Sequence, residues 1–315
     1  MDNPLSSAML PQHIIGCGST YRESDILVFG APFDGTVSGR PGTRFAPRRI
    51  RTESWDIETY SPLMAADLQD RSICDAGDLD LPFGNVEEVL HIVRETVVRI
   101  SADGKKPLMI GGEHLVTLPA VEALLDVPEY RDLCVIQMDA HMDLREDYLG
   151  QVLSHATVMR RIWERCGDGR IWQTGIRSGT REEYDWAASG HTRLIQQGSE
   201  SVNWQEAASG LREEIGRRPV YLTVDLDVLD PSEMPGTGTP EAGGLTFREW
   251  CGLLCGLRGL NLVGADLVEL CPPADPSGIS VMAACKALRE MLLLFPAPGQ
   301  REDRTGGRLT NPAKT

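Results

Sequence analysis

Asp139, His141 and Asp143 alternate in "QMDAHMDLRED", directly after the apolar run "LCVIQM". At two-residue spacing on an extended or irregular backbone, side chains turn to the same side. Two other segments have the same shape. "PLMI" runs into "GGEH", which supplies His114, and "PVYL" runs into "TVDLDVLD", which supplies Asp225, Asp227 and Asp230. Carboxylates gathered at one place repel each other, and their pKa values climb unless a cation balances them. Two imidazoles with this many carboxylates suit two divalent ions held close together, some carboxylates bridging. Hard oxygen donors without a thiolate favour Mn over Zn, and two His argue against Mg. One Asp-x-His alone is commonly just a loop cap; three such segments, each at the end of an apolar run, predict a binuclear site.

The elements that must position these residues follow from the apolar runs, which cover 25–32, 107–110, 133–139, 171–177, 219–225 and 262–270. They are continuous rather than alternating, the pattern of parallel strands covered on both faces. Between them lie helical patterns. Val86, Val89, Leu90, Val93, Val97 and Ile100 recur at a helical period, with Asn85 and Glu88 as an N-terminal cap. Thr246 and Glu249 form a capping box before another helix, and the apolar stretch from Ile279 to Phe295 reads as a buried helix ended by Pro296. Alternating strands and helices predict an α/β fold with a mainly parallel sheet. Such sheets bind ligands at the carboxyl ends of their strands, where all three acidic segments fall. One domain is expected from 25 to 298, after an irregular segment 1–24 and before a flexible polar tail 299–315. The connection "DPSEMPGTGTPEAGGL", Asp230 to Leu245, is dense in Gly and Pro and predicts a shaped functional loop.

With 315 residues, 41% of them hydrophobic, the chain can bury a sizeable core. Its net charge of −15, with no Lys/Arg cluster longer than a pair, argues against a nucleic-acid partner and favours small cationic ligands. No apolar run reaches the ~18 residues that span a membrane. The opening "MDNPLSSAML" has no basic or apolar leader pattern, so no membrane partner and a cytoplasmic location are expected. The eight Cys lack any CxxC spacing and read as free thiols.

"GGEHLVTLP", "DAHMD", "SHATVMRRI", "GIRSGTREE", "TVDLDVLDPSEMPGTGTPEAGGLT" and "GADLVELCPPADPSG" resemble, in order, the blocks of the ureohydrolases, the arginase and agmatinase family. "GAPFDGTVSGRPGTRFAP" makes the agmatinase branch the nearest. The resemblance implies a three-layer α/β/α sandwich with an eight-stranded sheet, two Mn ions per subunit, and a homo-oligomer, trimer or hexamer. It implies one ion on His114, Asp139, Asp143 and Asp225, and the other on His141, Asp139, Asp225 and Asp227, with Asp139 and Asp225 bridging. His155 of "LSHATVM" would be the proton donor, and Glu269 the carboxylate that holds a guanidinium. The expected reaction is attack of a metal-activated water on the guanidino carbon of agmatine, giving putrescine and urea for polyamine synthesis.

Between Leu144 and His155 the Ser-Gly-Asn run that reads an arginine α-carboxylate in arginase-like chains is missing, and Glu146 and Asp147 make an acidic loop. That loop is expected to repel a carboxylate and tolerate an ammonium, its two acids reading as solvated loop charges rather than substrate contacts. Two positions depart from the family pattern, Met142 and Ala274. Asp230 and Asp266 read as structural, and His13, His91 and His191 as ordinary histidines. The competing readings are a ureohydrolase for guanidinobutyrate, arginine or guanidine, a single-zinc deacetylase-like enzyme, and a non-catalytic relative.

Overall fold

The computed structural model of the chain describes residues 12–195 and 202–296. The six apolar runs form six strands of one parallel eight-stranded sheet. In chain order the strands are β1 (Ile26–Ala31), β2 (Ile73–Asp78), β3 (Lys106–Gly111), β4 (Cys134–Met138), β5 (Ile171–Thr174), β6 (Arg193–Ile195), β7 (Pro219–Asp225) and β8 (Asn261–Val268). Their order across the sheet is β2-β1-β3-β8-β7-β4-β5-β6. The four central strands, β3, β8, β7 and β4, are buried along almost their whole length.

Two strands of this sheet went unread in the sequence, and both lie at its edges; a two-residue antiparallel pair, Tyr60–Ser61 with Ala66–Asp67, also went unread. β2, "ICDAGD", pairs with β1 on one side, is met on the other by a short antiparallel bridge from Gly18 to Cys74, and carries Asp75 and Asp78, which hold the Arg51 guanidinium. β6 is three residues long and pairs only with β5. A strand open on one side tolerates polar residues and need not read as an apolar run.

Helices cover both faces. α1 (Ala46–Glu53), α6 (Trp204–Ile215), α7 (Phe247–Gly256) and α8 (Ile279–Leu294) bury their apolar stripes in one cluster with Ile136, Leu222, Val224 and Leu267 of the sheet. α2 (Val86–Ala102), α3 (Thr117–Leu125), α4 (Val158–Cys166) and α5 (Arg181–Ala188) do so on the other face, with Phe29, Met109, Val135 and Tyr221. The architecture is the expected three-layer α/β/α sandwich. We propose that 25–298 forms the single domain read from the sequence; its tail 299–315 and the segment 1–11 lie outside the described residues. Among the described residues no helix is long and apolar enough to cross a membrane. The caps behave as read: Asn85 accepts from the Glu88 N–H at 3.1 Å, and Thr246 and Glu249 cap each other reciprocally. All eight cysteines are free.

Thr246→Ala removes the hydroxyl that accepts from the Glu249 N–H while leaving the core of α7 intact. It is expected to lower unfolding stability by about 1 kcal/mol. Urea titration of the two proteins checks this, and an unchanged midpoint would refute it.

Candidate metal centre

The four central strands end side by side, and each hands the chain to a turn that carries an acidic or imidazole side chain. β3 ends on Gly111 and is followed by Gly112, then Glu113 and His114. A Cβ at Gly112 would lie 1.7 Å from the Phe33 carbonyl oxygen, so only glycine lets the two backbones pass. β4 leads directly to Asp139, His141 and Asp143. β7 ends on Asp225, and a single 3-10 turn from Leu226 to Val228 then presents Asp227. β8 is followed at once by Glu269.

The six side chains read from the sequence meet in two groups that share Asp139. His114 Nδ1 lies 3.0 Å from Asp139 Oδ2, 3.2 Å from Asp143 Oδ2 and 3.5 Å from Asp225 Oδ2. His141 Nδ1 lies 2.9 Å from Asp227 Oδ2 and 3.6 Å from Asp139 Oδ1. His114, Asp139 and Asp225 each offer one ligand atom within 4.8 Å of the others, and so do Asp139, His141 and Asp227. Asp225 stands with the His114 group in this geometry, whereas Asp139 belongs to both.

The carboxylates are aimed by backbone N–H groups. Asp139 Oδ1 accepts from His141 N at 2.6 Å, Asp225 Oδ1 from Asp227 N at 2.8 Å, and Asp227 Oδ1 from Ala140 N at 3.1 Å. For Asp225 and Asp227 this leaves Oδ2 pointing at an imidazole. The His114 ring is fixed on its other side, where Nε2 lies 2.9 Å from Thr223 Oγ1. A metal on Nδ1 would leave the ring hydrogen on Nε2, where the Thr223 hydroxyl can accept it. That Nδ1 is fully buried, surrounded by three carboxylate oxygens, and has no hydrogen-bond partner. An unpaired basic nitrogen aimed into a ring of carboxylates fits a divalent cation, with no thiolate in either group.

The protonation equilibria show how strongly the cluster calls for positive charge. Burial pushes Asp143 up to about 7, with the neighbouring Asp139 charge adding to it. Burial also drives Asp225 and Glu269 well above the usual carboxylate range, reinforced by Asp227 and Glu113 respectively. Burial alone would lower His141, but the Asp139 and Asp227 carboxylates outweigh it and push the ring up to about 12.

Around this floor lies a cleft of ≈ 250 Å³, lined by His155, Glu269, Ser38, Tyr148 and Thr239 among others. Glu269 sits in the left-handed region, φ 64°, which turns its side chain off the strand line into the cleft. Its Oε1 accepts from His114 N at 2.7 Å. The loop from Asp230 to Leu245 is shaped, as expected: Asp230 N donates to Leu245 O at 2.8 Å across its neck, and Asp230 Oδ2 accepts from Gly243 N and Gly244 N. Asp266 is structural, accepting from Thr117 Oγ1 and Tyr221 Oη at 2.7 Å each.

The two acids of the loop are solvated, as read, and do not reach the cleft. Glu146 and Asp147 are exposed and do not line the cleft; Asp147 instead accepts from Gly150 N at 2.9 Å to close a turn. The turn rotates their neighbours inward, so Arg145 and Tyr148 line the cleft, the guanidinium 4.7 Å from the Tyr148 ring centroid. Met142 is fully buried and also lines the cleft, packed under Gly179, whereas Ala274 does not reach it. Thr36, Ser38 and Glu113 were unread as individual residues. Their only signal was membership in blocks whose other positions carried the argument.

Residues 24–294 match the model of the Arginase family. The chain belongs to the arginase family. Within that family it is 43% identical to the agmatinase of Bacillus anthracis over 276 residues, 87% of this chain and 93% of the relative. It is 35% identical to the guanidinobutyrase of Pseudomonas aeruginosa over 286 residues, 88% of each chain. Among solved structures it resembles the agmatine ureohydrolase of Thermoplasma volcanium, at 34% identity and a TM-score of 0.82, covering 92% of this chain and 96% of that one. The chain is an arginase-family ureohydrolase, a hydrolase of guanidino C–N bonds, and its sequence is agmatinase-like.

Thr223→Val keeps the side-chain shape but removes the acceptor of the His114 Nε2–H. It is expected to weaken Mn(2+) binding roughly 10–100-fold. Calorimetric titration of both proteins checks this; equal affinities would show that the Thr223 contact does not orient a metal-holding nitrogen.

Proposed function

We propose that the protein hydrolyses agmatine to putrescine and urea with two Mn(2+) ions per subunit. The observation that carries this reading is the convergence of the two donor groups, Glu269 and His155 on one cleft. Identity of 43% to agmatinases supports the substrate. His114, Asp139, Asp143 and Asp225 would hold one ion, and His141, Asp139, Asp225 and Asp227 the other. When bound, the two ions supply positive charge against the carboxylates and make water acidic enough to attack near neutral pH.

The chain's own residues do the rest. Glu269, tied by Oε1 to the His114 N–H, keeps Oε2 for the substrate guanidinium and orients it over the donor groups. Water oxygen bonds to the guanidino carbon and loses one proton to solvent, giving a neutral tetrahedral centre that keeps a hydroxyl. Collapse breaks the bond from that carbon to the alkyl nitrogen as His155 Nε2 delivers a proton to that nitrogen, so it leaves as a neutral amine. The hydroxyl proton then passes back to His155 as the carbonyl closes, and the other product is urea. Burial lowers the His155 pKa, which makes its protonated form a stronger acid.

Arg145 favours a second reading. A cation on the cleft wall, 3.7 Å from Glu183 in a loose pair, suits a substrate with a carboxylate at its far end, as in a guanidino acid. On either reading we propose a cytoplasmic homo-oligomer, trimer or hexamer. The oligomer rests on the family resemblance, and the compartment on free thiols throughout the fold, with Cys17, Cys134, Cys271 and Cys285 buried.

Urea release from agmatine, arginine, guanidinobutyrate and guanidine, at one Mn(2+) loading, decides the substrate. Agmatine is expected to exceed arginine in kcat/KM by roughly a hundredfold, the scale on which a site built for one polar end group rejects another, as the likeness to agmatinases suggests. Equal values would overturn the agmatine assignment, and a lead for guanidinobutyrate would establish the second reading. Glu269→Gln is expected to keep both metals while kcat/KM falls roughly a hundredfold or more. Loss of metal in that variant, measured by elemental analysis, would show that Glu269 serves the metal centre and not the substrate.

A further inference from the structure

His155 is held at three points by a loop that the metal cluster does not include. Its Nδ1 lies 3.0 Å from the Thr36 carbonyl oxygen. A carbonyl only accepts, so Nδ1 carries the hydrogen, and in the neutral ring Nε2 is the lone-pair nitrogen. Nε2 lies 3.2 Å from Ser38 Oγ, and both groups face the cleft. The backbone N–H of His155 donates to Thr36 Oγ1 at 3.3 Å.

Thr36 is itself anchored. Its N–H and its hydroxyl donate to the two carboxylate oxygens of Glu113, at 2.9 Å and 2.6 Å. Glu113 has 0% exposure, and its own N–H donates to Phe33 O at 2.8 Å. It is also the residue before His114. A short path of hydrogen bonds therefore runs from the strand end that carries a proposed metal ligand to the ring that carries the proton. A mere loop anchor would account for the two Glu113 bonds. It would not account for Thr36 gripping both the ring and the backbone of His155, nor for a hydroxyl on Nε2.

We propose that Thr36, anchored by Glu113, and Ser38 are positioning residues for His155, fixing its first proton on Nδ1 and presenting Nε2 to the departing nitrogen. The assignment rests on the role given to His155 above. A serine hydroxyl suits the Nε2 side because it can donate or accept. It donates to Nε2 when the ring is neutral and accepts from Nε2–H when the ring is charged. Both protonation states are thus held without moving the ring. When the proton passes from Nε2 to the leaving nitrogen, as the C–N bond breaks, the Ser38 hydroxyl turns back to donate.

The test uses the Mn(2+)-loaded full chain, with whichever guanidino compound of the panel gives the highest kcat/KM. Thr36→Val removes the hydroxyl but keeps the carbonyl and is expected to lower kcat roughly tenfold, with KM within about twofold and metal content unchanged. Thr36→Ser restores the hydroxyl and is expected to recover kcat. Ser38→Ala is expected to lower kcat roughly fivefold, again without a matching rise in KM. Nitrogen-15 NMR of the His155 ring, with Mg(2+) as the added ion to avoid broadening, is expected to show the Nδ1–H tautomer in the wild type and a tautomer mixture in Thr36→Val. The NMR arm does not depend on the substrate, so it tests the positioning even if no guanidino compound turns over. An Nε2–H tautomer in the wild type, unchanged kcat in both Thr36→Val and Ser38→Ala, or parallel losses of metal and KM would overturn the proposal.

Discussion

Mutual repulsion among buried carboxylates is the constraint on which the rest of this structure depends. Asp139, Asp143, Asp225 and Asp227 are all less than a tenth exposed, and Glu269 lies beside them. Taking one ionised carboxylate out of water without a partner costs several kcal/mol, and each neighbour of the same sign adds to it. The chain supplies little positive charge of its own. His114 and His141 are the imidazoles within the cluster, and Arg177, the nearby guanidinium, spends its hydrogen bonds on the carbonyls of Asp227, Glu241 and Val228 rather than on any carboxylate. The proposed divalent cations would resolve the conflict at its source, and His114 Nδ1 faces the position where one would meet three oxygens.

A parallel sheet makes this concentration of charge structurally possible. All strands point the same way, so the ends of β3, β8, β7 and β4 form one shelf, and each turn beyond it has unpaired backbone N–H groups to offer. Those groups aim Asp139, Asp225 and Asp227 without drawing on other charged side chains. Two positions on the shelf require unusual backbone. Asp143, φ 54°, and Glu269, φ 64°, both lie in the left-handed region, at a cost of about 1–3 kcal/mol each. The carbonyl of Asp143 accepts from Met159 N and Arg160 N at the start of α4, so the same twist that aims its carboxylate also caps a helix.

This division explains what the sequence made legible. Strand ends leave a local signature, an apolar run followed by alternating acids, so the six donors, the parallel sheet and Glu269 could be named from spacing and resemblance. The edge strands β2 and β6 could not, because pairing on one side relaxes the apolar pattern. The cleft wall was harder still. Whether Arg145 and Tyr148 or Glu146 and Asp147 turn inward depends on a hydrogen bond from Gly150 N to Asp147 and on the pairing of Tyr148 with Gln151, and composition cannot show it. The contacts of Thr36 with His155, 119 residues away in sequence, are invisible to any local pattern.

The same division bears on how the cleft would recognise its substrate. Four Asp carry four formal negative charges, and two divalent ions carry four positive ones, so the proposed centre is neutral in itself. Glu269 then adds a single negative charge, the complement of one guanidinium. The floor is therefore matched to any monocationic guanidino group and is blind to what the rest of the molecule carries. Discrimination must come from the wall, which is built from loops: Arg145 and Tyr148 after β4, Ser178 and Thr180 after β5, Thr239 after β7. Loops can change sequence without disturbing the shelf, because the shelf is held by backbone N–H groups rather than by loop side chains. On this argument agmatinases and guanidinobutyrases can share one catalytic floor, and a single inward-facing cation such as Arg145 carries more information about substrate than the net charge of −15 spread over the whole chain. Screening confines that global charge to long-range steering, about 8–10 Å at physiological salt, while a side chain on the cleft wall acts at contact distance.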